Sequence, residues 1–295
     1  MMIPTDVLTD SRISRLVELA LIEDIGVGDL TSDAILEDED LGSAKLLCKE
    51  AGIIAGIDLA ALVYRYCDHS ITLVRAVQDG SAAHPGTVIA RLDGSAKGIL
   101  RGERTALNFL QRMSGIATLT SRYVREVAGT RAKITDTRKT APGLRIIDKL
   151  AVRLGGGENH RFGLDDMVLI KDNHIVAAGG IAQAVKRCRD YLAEGRFQAA
   201  IEVETKTLAE VDEALSCTGL KRIMLDNFPA DLMRKAVERI DGRVEVEASG
   251  GITLDNVRSV AQTGVDFISV GALTHSARAL DISLELTHTA RPRAH

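Results

Sequence analysis

From residue 132 onward one rhythm repeats: a short apolar run, a turn, then a helical pattern. Strands are expected near 132–136, 167–171, 199–204, 222–226, 244–248 and 267–270, with helices near 144–154, 180–193, 207–216, 230–240 and 254–262. The strand segments are apolar and rich in β-branched residues, as in a parallel sheet covered by helices. About six βα units fall short of the eight of a full barrel. The preferred reading is α/β with an incomplete, about six-stranded α/β barrel; a flat doubly wound sheet is the alternative.

The first third is built differently. Ile13, Leu16, Val17, Ala20 and Leu21 fall at helical spacing, so 10–24 is expected to be an amphipathic helix capped by Asp10 or Ser11. Strand-like runs follow at 44–49 and 52–56, then a short helix at 58–67. Residues 71–78 and 86–92 alternate like half-buried antiparallel strands, with Ala82 to Gly86 as the turn between them. The stretch 97–128 is strongly helical, and a break is expected at Gly115.

The strand ends of the second part carry the charges. Asp136, Arg138 and Lys139 follow the first strand and Lys171 the second; Glu202 and Glu204 close the third, and Asp226 the fourth. If the strands close into a barrel, these groups gather at its C-terminal mouth, where barrel active sites lie. The set is mostly cationic with a few carboxylates, which suits a polyanionic substrate with a divalent metal. Ser249-Gly250-Gly251 and Gly271-Ala272 follow the last two strands. Small residues there let an anion approach backbone N–H groups, although tight βα turns also use glycine. Lys171 reads as a fixed cation, a Schiff-base nucleophile or a solvated lysine. Glu202 and Glu204 share strand parity, and either one can serve as the mouth carboxylate. Gly155-Gly-Gly157-Glu158-Asn159-His160-Arg161 is glycine-rich, then basic; it precedes a strand and reaches the mouth only by folding inward.

Composition narrows the function class. A net charge of −4 gives no global basic field for nucleic acid, and aromatic residues at 3% offer few stacking platforms. Cys48, Cys67, Cys188 and Cys217 are scattered without a CxxC pair, so buried thiols are expected rather than a disulfide or metal site. No apolar stretch has the length of a membrane span and no signal peptide is visible, so a cytoplasmic enzyme is expected.

Taken together, these motifs resemble the quinolinate phosphoribosyltransferase family over nearly the whole chain. The resemblance is carried by Leu21 to Thr31, Glu103 to Ala117, Asp136 to Thr140, Gly155 to Arg161, Asp166 to Ile175, Met224 to Asn227, Glu247 to Ile252 and Asp266 to Ser276, in that order. It implies phosphoribosyl transfer from phosphoribosyl pyrophosphate to quinolinate with Mg²⁺, giving nicotinate mononucleotide, pyrophosphate and CO₂. It also implies an α/β sandwich domain over 1–113, the barrel over 114–275, and a tail, 276–295, that returns to the sandwich. The quinolinate-binding cations would be Arg138, His160, Arg161 and Lys171, with Lys139 bridging toward the donor. Glu204 and Asp226 would serve metal and ribose; Lys139, Lys171, Glu204 and Asp226 form the catalytic group. Ser249, Gly250, Gly251, Gly271 and Ala272 would cradle phosphate, with His275 nearby. The protein would be a homodimer or higher homo-oligomer in which Arg104 crosses to the partner's site. The rival readings are a Schiff-base aldolase on a phosphate-binding barrel and a non-catalytic paralogue.

Overall fold

The computed structural model describes residues 7–196 and 198–290, with side chains to residue 286. In chain order the elements are α1 (Ser11–Ile25), α2 (Leu30–Ile35), β1 (Leu41–Cys48), β2 (Gly52–Ile53), α3 (Ile57–Cys67), β3 (Thr72–Arg75), β4 (Ala82–Ala83), β5 (Val88–Ser95) and α4 (Ala96–Glu126). Then come β6 (Lys133–Thr135), α5 (Arg145–Leu154), β7 (Val168–Ile170), α6 (Asp172–Ala178), α7 (Ile181–Gly195), β8 (Ile201–Thr205), α8 (Leu208–Ser216) and β9 (Arg222–Asp226). The last are α9 (Ala230–Ile240), β10 (Glu245–Ser249), α10 (Val257–Ala261), β11 (Phe267–Ser269), α11 (Ala272–His275) and β12 (Ile282–Ala290).

One compact unit runs to Ser121 and includes Thr140–Gly156 and the chain from Thr274 onward. Its antiparallel sheet has the order β12-β1-β5-β3. The last strand therefore lies beside the first, with Lys45 opposite Glu285. Ile13, Val17 and Leu21 of α1 and Leu59, Leu62 and Val63 of α3 are buried, as are Ala44, Leu46, Ile89 and Leu92 of the sheet. Asp10 caps α1 by accepting the N–H of Arg12 at 2.9 Å. Two local expectations are corrected. Ala82 and Ala83, expected in a turn, form β4 and pair with β2. Helix α4 runs unbroken through Gly115, whose missing side chain admits the backbone of Arg278: a Cβ there would lie 2.1 Å from the Arg278 carbonyl oxygen.

The other unit comprises Arg122–Lys139 and Gly157–Leu273. The expected boundaries of 1–113 and 114–275 differ from this division. The segment 140–156, expected in the barrel, joins the sandwich unit because α5 buries Ile146, Ile147 and Val152 and fixes its buried Asp148 to Arg112 of α4 by two hydrogen bonds of 2.8 Å. Gly155 belongs to the same packing, since a Cβ there would meet the Ala117 carbonyl oxygen at 2.4 Å.

The barrel unit's six strands pair in parallel in the order β6-β11-β10-β9-β8-β7. From β7 to β11 each strand lies beside its successor, and β6 follows β11. This is the cyclic order of a barrel opened between β6 and β7, whereas a doubly wound sheet reverses its order at a switch point. Ile134, Ile170, Val203, Ile223, Leu225, Val246 and Ile268 are buried strand residues, and Val185, Val211, Met233, Ala236 and Val260 are buried on the helices. Among the described residues, no helix is long and apolar enough to cross a membrane.

Candidate active site

A cavity of about 670 Å³ opens at the C-terminal ends of the barrel strands. Each wall residue is placed by a strand end. Thr137, Arg138 and Lys139 follow β6, Lys171 follows β7, Glu204 lies in β8, Asp226 and Asn227 end β9, and Ser249, Gly250 and Gly251 end β10. His160 and Arg161 line it as well. The path they take answers how this segment reaches the mouth. Glu158 forms a parallel bridge with Thr135 on the free edge of β6, and its N–H donates to the Ile134 carbonyl at 2.8 Å. The segment thus extends the sheet by a short seventh rung before turning into the barrel.

Buried carboxylates fasten that turn. Asp136, fully buried, accepts from Asn159 Nδ2 at 2.6 Å and from the His160 backbone N–H at 2.9 Å. His160 Nε2 lies 3.0 Å from Glu202 Oε2 and 3.3 Å from Glu247 Oε2. Its Nδ1 accepts the Arg161 backbone N–H at 2.9 Å. Both carboxylates are fully buried, and Arg222 Nη1 donates to Glu247 at 2.7 Å. Burial disfavours the imidazolium, but the bonds to Glu202 and Glu247 outweigh it and raise the His160 pKa to about 9. Burial, then the Glu247 charge, also raises the Glu202 pKa. The cluster therefore retains one proton beyond the imidazole N–H at neutral pH.

Arg161 is 9% exposed; its Nη1 donates to the Met167 carbonyl at 3.0 Å. Its buried Nε has no hydrogen-bond partner among the described residues. Burial and then the charge of Arg138 lower its pKa. An anion between the two guanidiniums relieves both effects. Lys171 Nζ stands 3.8 Å from Glu204. Burial, then the charge of Asp226, raises the Glu204 pKa. Two crowded carboxylates of this kind are hard oxygen donors whose repulsion a divalent cation would cancel, so the pair fits Mg²⁺.

The two β8 glutamates differ in depth. Glu204 lines the cavity, while Glu202 lies beneath it against His160. His160, expected as a binding cation, lines the cavity, and its ring nitrogens also bond Glu202, Glu247 and the Arg161 N–H. Among the described residues, Gly271, Ala272, His275 and Arg104 are not part of the cavity wall. Arg104 is exposed on α4, and the His275 ring pairs with Ser276 Oγ at 2.6 Å. Asp136, expected among the mouth charges, is buried and absent from the cavity wall, and Glu247 and Asn227 are residues to which sequence reasoning gave no role. For Glu247 the signal was available: a carboxylate inside an apolar strand, with the same parity as Ser249.

Residues 29–114 match the N-terminal domain, and 116–285 the C-terminal domain, of the family described as quinolinate phosphoribosyl transferase. The chain is 48% identical over 285 residues to quinolinate phosphoribosyltransferase [decarboxylating] 1b of Nicotiana tabacum, covering 92% of this chain and 81% of that relative. It is 44% identical to a probable nicotinate-nucleotide pyrophosphorylase [carboxylating] of Bacillus subtilis, covering 94% of each. The crystal structure of NadC from Streptococcus pyogenes superposes with a TM-score of 0.90 at 38% identity, over 97% of this chain and 100% of that one.

Proposed function

Since the chain belongs to the quinolinate phosphoribosyltransferase family, we propose that the barrel-mouth cavity is where its reaction takes place, with the residue roles set out below. The reaction itself is transfer of a phosphoribosyl group from phosphoribosyl pyrophosphate to quinolinate with decarboxylation. It yields nicotinate mononucleotide for NAD biosynthesis. The observation that carries the site is the union in one cavity of Arg138, Arg161 and Lys171 with the carboxylates Glu204 and Asp226.

Arg138, Arg161 and Lys171 bind the two carboxylates of quinolinate; an arginine fork suits a carboxylate, and its charge-assisted bonds are the strong ones. Lys139 faces the donor's phosphates, which rest on the N–H groups of Ser249 to Gly251. Glu204 and Asp226 accept hydrogen bonds from the ribose hydroxyls and stabilise positive charge as the bond to pyrophosphate breaks. The pyridine nitrogen attacks and becomes cationic, which stabilises the ylid left when the adjacent carboxylate departs as CO₂. Glu204 and Asp226 would also hold Mg²⁺, which supplies charge neutralisation and Lewis acidity to a diphosphate leaving group. The Schiff-base alternative finds no support, because Lys171 is half exposed beside Glu204 rather than buried in an apolar pocket. We further propose a cytoplasmic homodimer in which Arg104, exposed on α4, completes the partner's quinolinate site. The four free cysteines are consistent with a reducing compartment.

The test is a mass-spectrometric assay for nicotinate mononucleotide, applied to wild type, Glu204→Gln and Asp226→Asn. Both variants should lower kcat by about 10²-fold or more, as expected when electrostatic stabilisation of the transition state is lost, and change quinolinate KM by less than about threefold. Full turnover with weakened quinolinate binding in either variant would refute the role given to that carboxylate.

A further inference from the structure

We infer that three fully buried carboxylates, Asp136, Glu202 and Glu247, act as positioning residues that set the depth and direction of Arg161, with His160 as the strut between them. The inference rests on Arg161 being a quinolinate ligand.

The geometry has few slack joints. Asp136 takes the backbone N–H of His160 and the side chain of Asn159, so it fixes where the turn starts. The imidazole spans from the turn to two strands that are not neighbours, β8 and β10, at 3.0 and 3.3 Å. Its other nitrogen receives the N–H of Arg161, which fixes where the next residue starts. The guanidinium is then held at its far end by the Met167 carbonyl. The same ring thus ties the barrel wall to the main chain of the residue that carries the fork. Displacing a positioned group by about 1 Å typically costs on the order of a hundredfold. This explains why three carboxylates are fully buried, Asp136 and Glu202 away from the cavity wall and Glu247 at its floor.

The ligand atoms of His160, Glu202 and Glu247 lie within 4.8 Å of one another, a spacing that also admits a cation. The interior already supplies one: Arg222 Nη1 sits 2.7 Å from Glu247, and the imidazole N–H lies between the carboxylates. The cluster is therefore a hydrogen-bonded frame rather than a metal centre.

The experiment is a double-mutant cycle on the full-length enzyme, with steady-state kinetics for both substrates. Arg161→Ala should raise quinolinate KM about ten- to a hundredfold, the loss of a charge-assisted contact. Glu247→Ala and Asp136→Ala should each raise quinolinate KM about tenfold, with kcat and the KM for phosphoribosyl pyrophosphate changing less than about threefold. Glu247→Gln, which keeps an acceptor for the imidazole N–H, should recover most of the loss. Arg161→Ala combined with Glu247→Ala should bind quinolinate no worse than Arg161→Ala alone, because the glutamate acts through the arginine. Additive losses, or parallel rises in both KM values, would overturn the inference. An unchanged quinolinate KM in Arg161→Ala would overturn the premise with it, whereas a raised KM there beside an unaffected Glu247→Ala would overturn only the positioning role. Nitrogen-15 NMR of the wild-type ring, assigned by its loss in His160→Asn, supplies a readout that does not depend on a stable Glu247 variant: Nε2, which faces both glutamates, should be protonated, and an unprotonated Nε2 would also overturn it.

Discussion

At the scale of single residues, the end of β9 shows how much of the site is built from contacts invisible in a linear sequence. Asn227 has a positive φ of 56°, its N–H donates to the Ser249 carbonyl at 2.8 Å, and its side-chain amide donates to Asp226 Oδ2 at 2.9 Å. Asparagine tolerates the left-handed region better than most residues. The amide holds one oxygen of the Asp226 carboxylate and directs the other elsewhere. Gly250 makes room for it, since a Cβ at Gly250 would lie 2.3 Å from Asn227 Oδ1 at a φ of 90°. Gly250→Ala should therefore displace the amide, release Asp226 and lower kcat by at least about tenfold, at a stability cost of about 1–3 kcal/mol for the backbone strain. Steady-state kinetics beside urea denaturation would check both parts. The glycine pair after β10 was legible as a place where a backbone approaches an anion. Its second duty, accommodating a side chain from the neighbouring strand end, depends on register between β9 and β10 and was not.

At the scale of elements, α4 is the clearest instance of packing overriding local punctuation. A glycine in a long helical stretch signals a break because it costs about 1 kcal/mol relative to alanine. Here the helix continues, and the position is glycine because the backbone at Arg278 and Ala279 presses against it. Gly115→Ala should destabilise the protein by about 1–3 kcal/mol despite alanine's better helix propensity, because the obstruction is main chain and cannot rotate away. A lower urea midpoint with an unchanged m-value would verify it; a stabilised variant would contradict it. The β/α rhythm after residue 132 was readable because strands buried on both faces are necessarily apolar runs, and the charged groups at their ends are necessarily conspicuous. What escaped was structure without a period. The rung at Glu158 is a single bridge. Helix α6 has no buried face. Strand β12, expected from the resemblance only as a tail returning to the sandwich, is paired by a sheet built from the other end of the chain. The depth and partners of the buried carboxylates escaped for a related reason: Glu202 and Glu247 are visible in their strands, but a glutamate there announces neither how deep it lies nor what it bonds.

At the scale of the whole molecule, the buried cluster predicts a pH dependence. The His160 pKa is raised in the folded state from 6.5 to about 9. A raised folded-state pKa contributes stability that is fully present below the unfolded value and is lost as pH rises through the folded one. The melting temperature should therefore fall as pH is raised from about 6.5 to 9, and His160→Asn should show a shallower fall across that window. Differential scanning calorimetry at fixed ionic strength would measure it. The proposed dimer has its own test. Arg104→Ala and Lys171→Ala proteins should each be nearly inactive. Mixed and allowed to exchange subunits, they should recover up to roughly a quarter of wild-type activity, since about half the dimers are mixed and each keeps one intact composite site. No recovery after verified exchange would assign Arg104 to its own subunit or to no site.

The pairing of β1 with β12 and of β6 with β11 has a consequence for how the chain can be made. Lys45 finds Glu285, and Lys133 finds Phe267, only across most of the sequence that separates the two ends of each unit. Contacts of such long separation form late and slow folding, because the intervening loop must be closed before any reward is gained. On a ribosome, neither sheet can be completed while its closing strand is still inside the exit tunnel. The amino-terminal half cannot finish as an independent domain ahead of the rest. Residues such as Leu46 and Ile134 must therefore wait, partly uncovered, in the nascent chain until β12 and β11 have emerged, and apolar surface exposed over such an interval is open to aggregation or to chaperone binding.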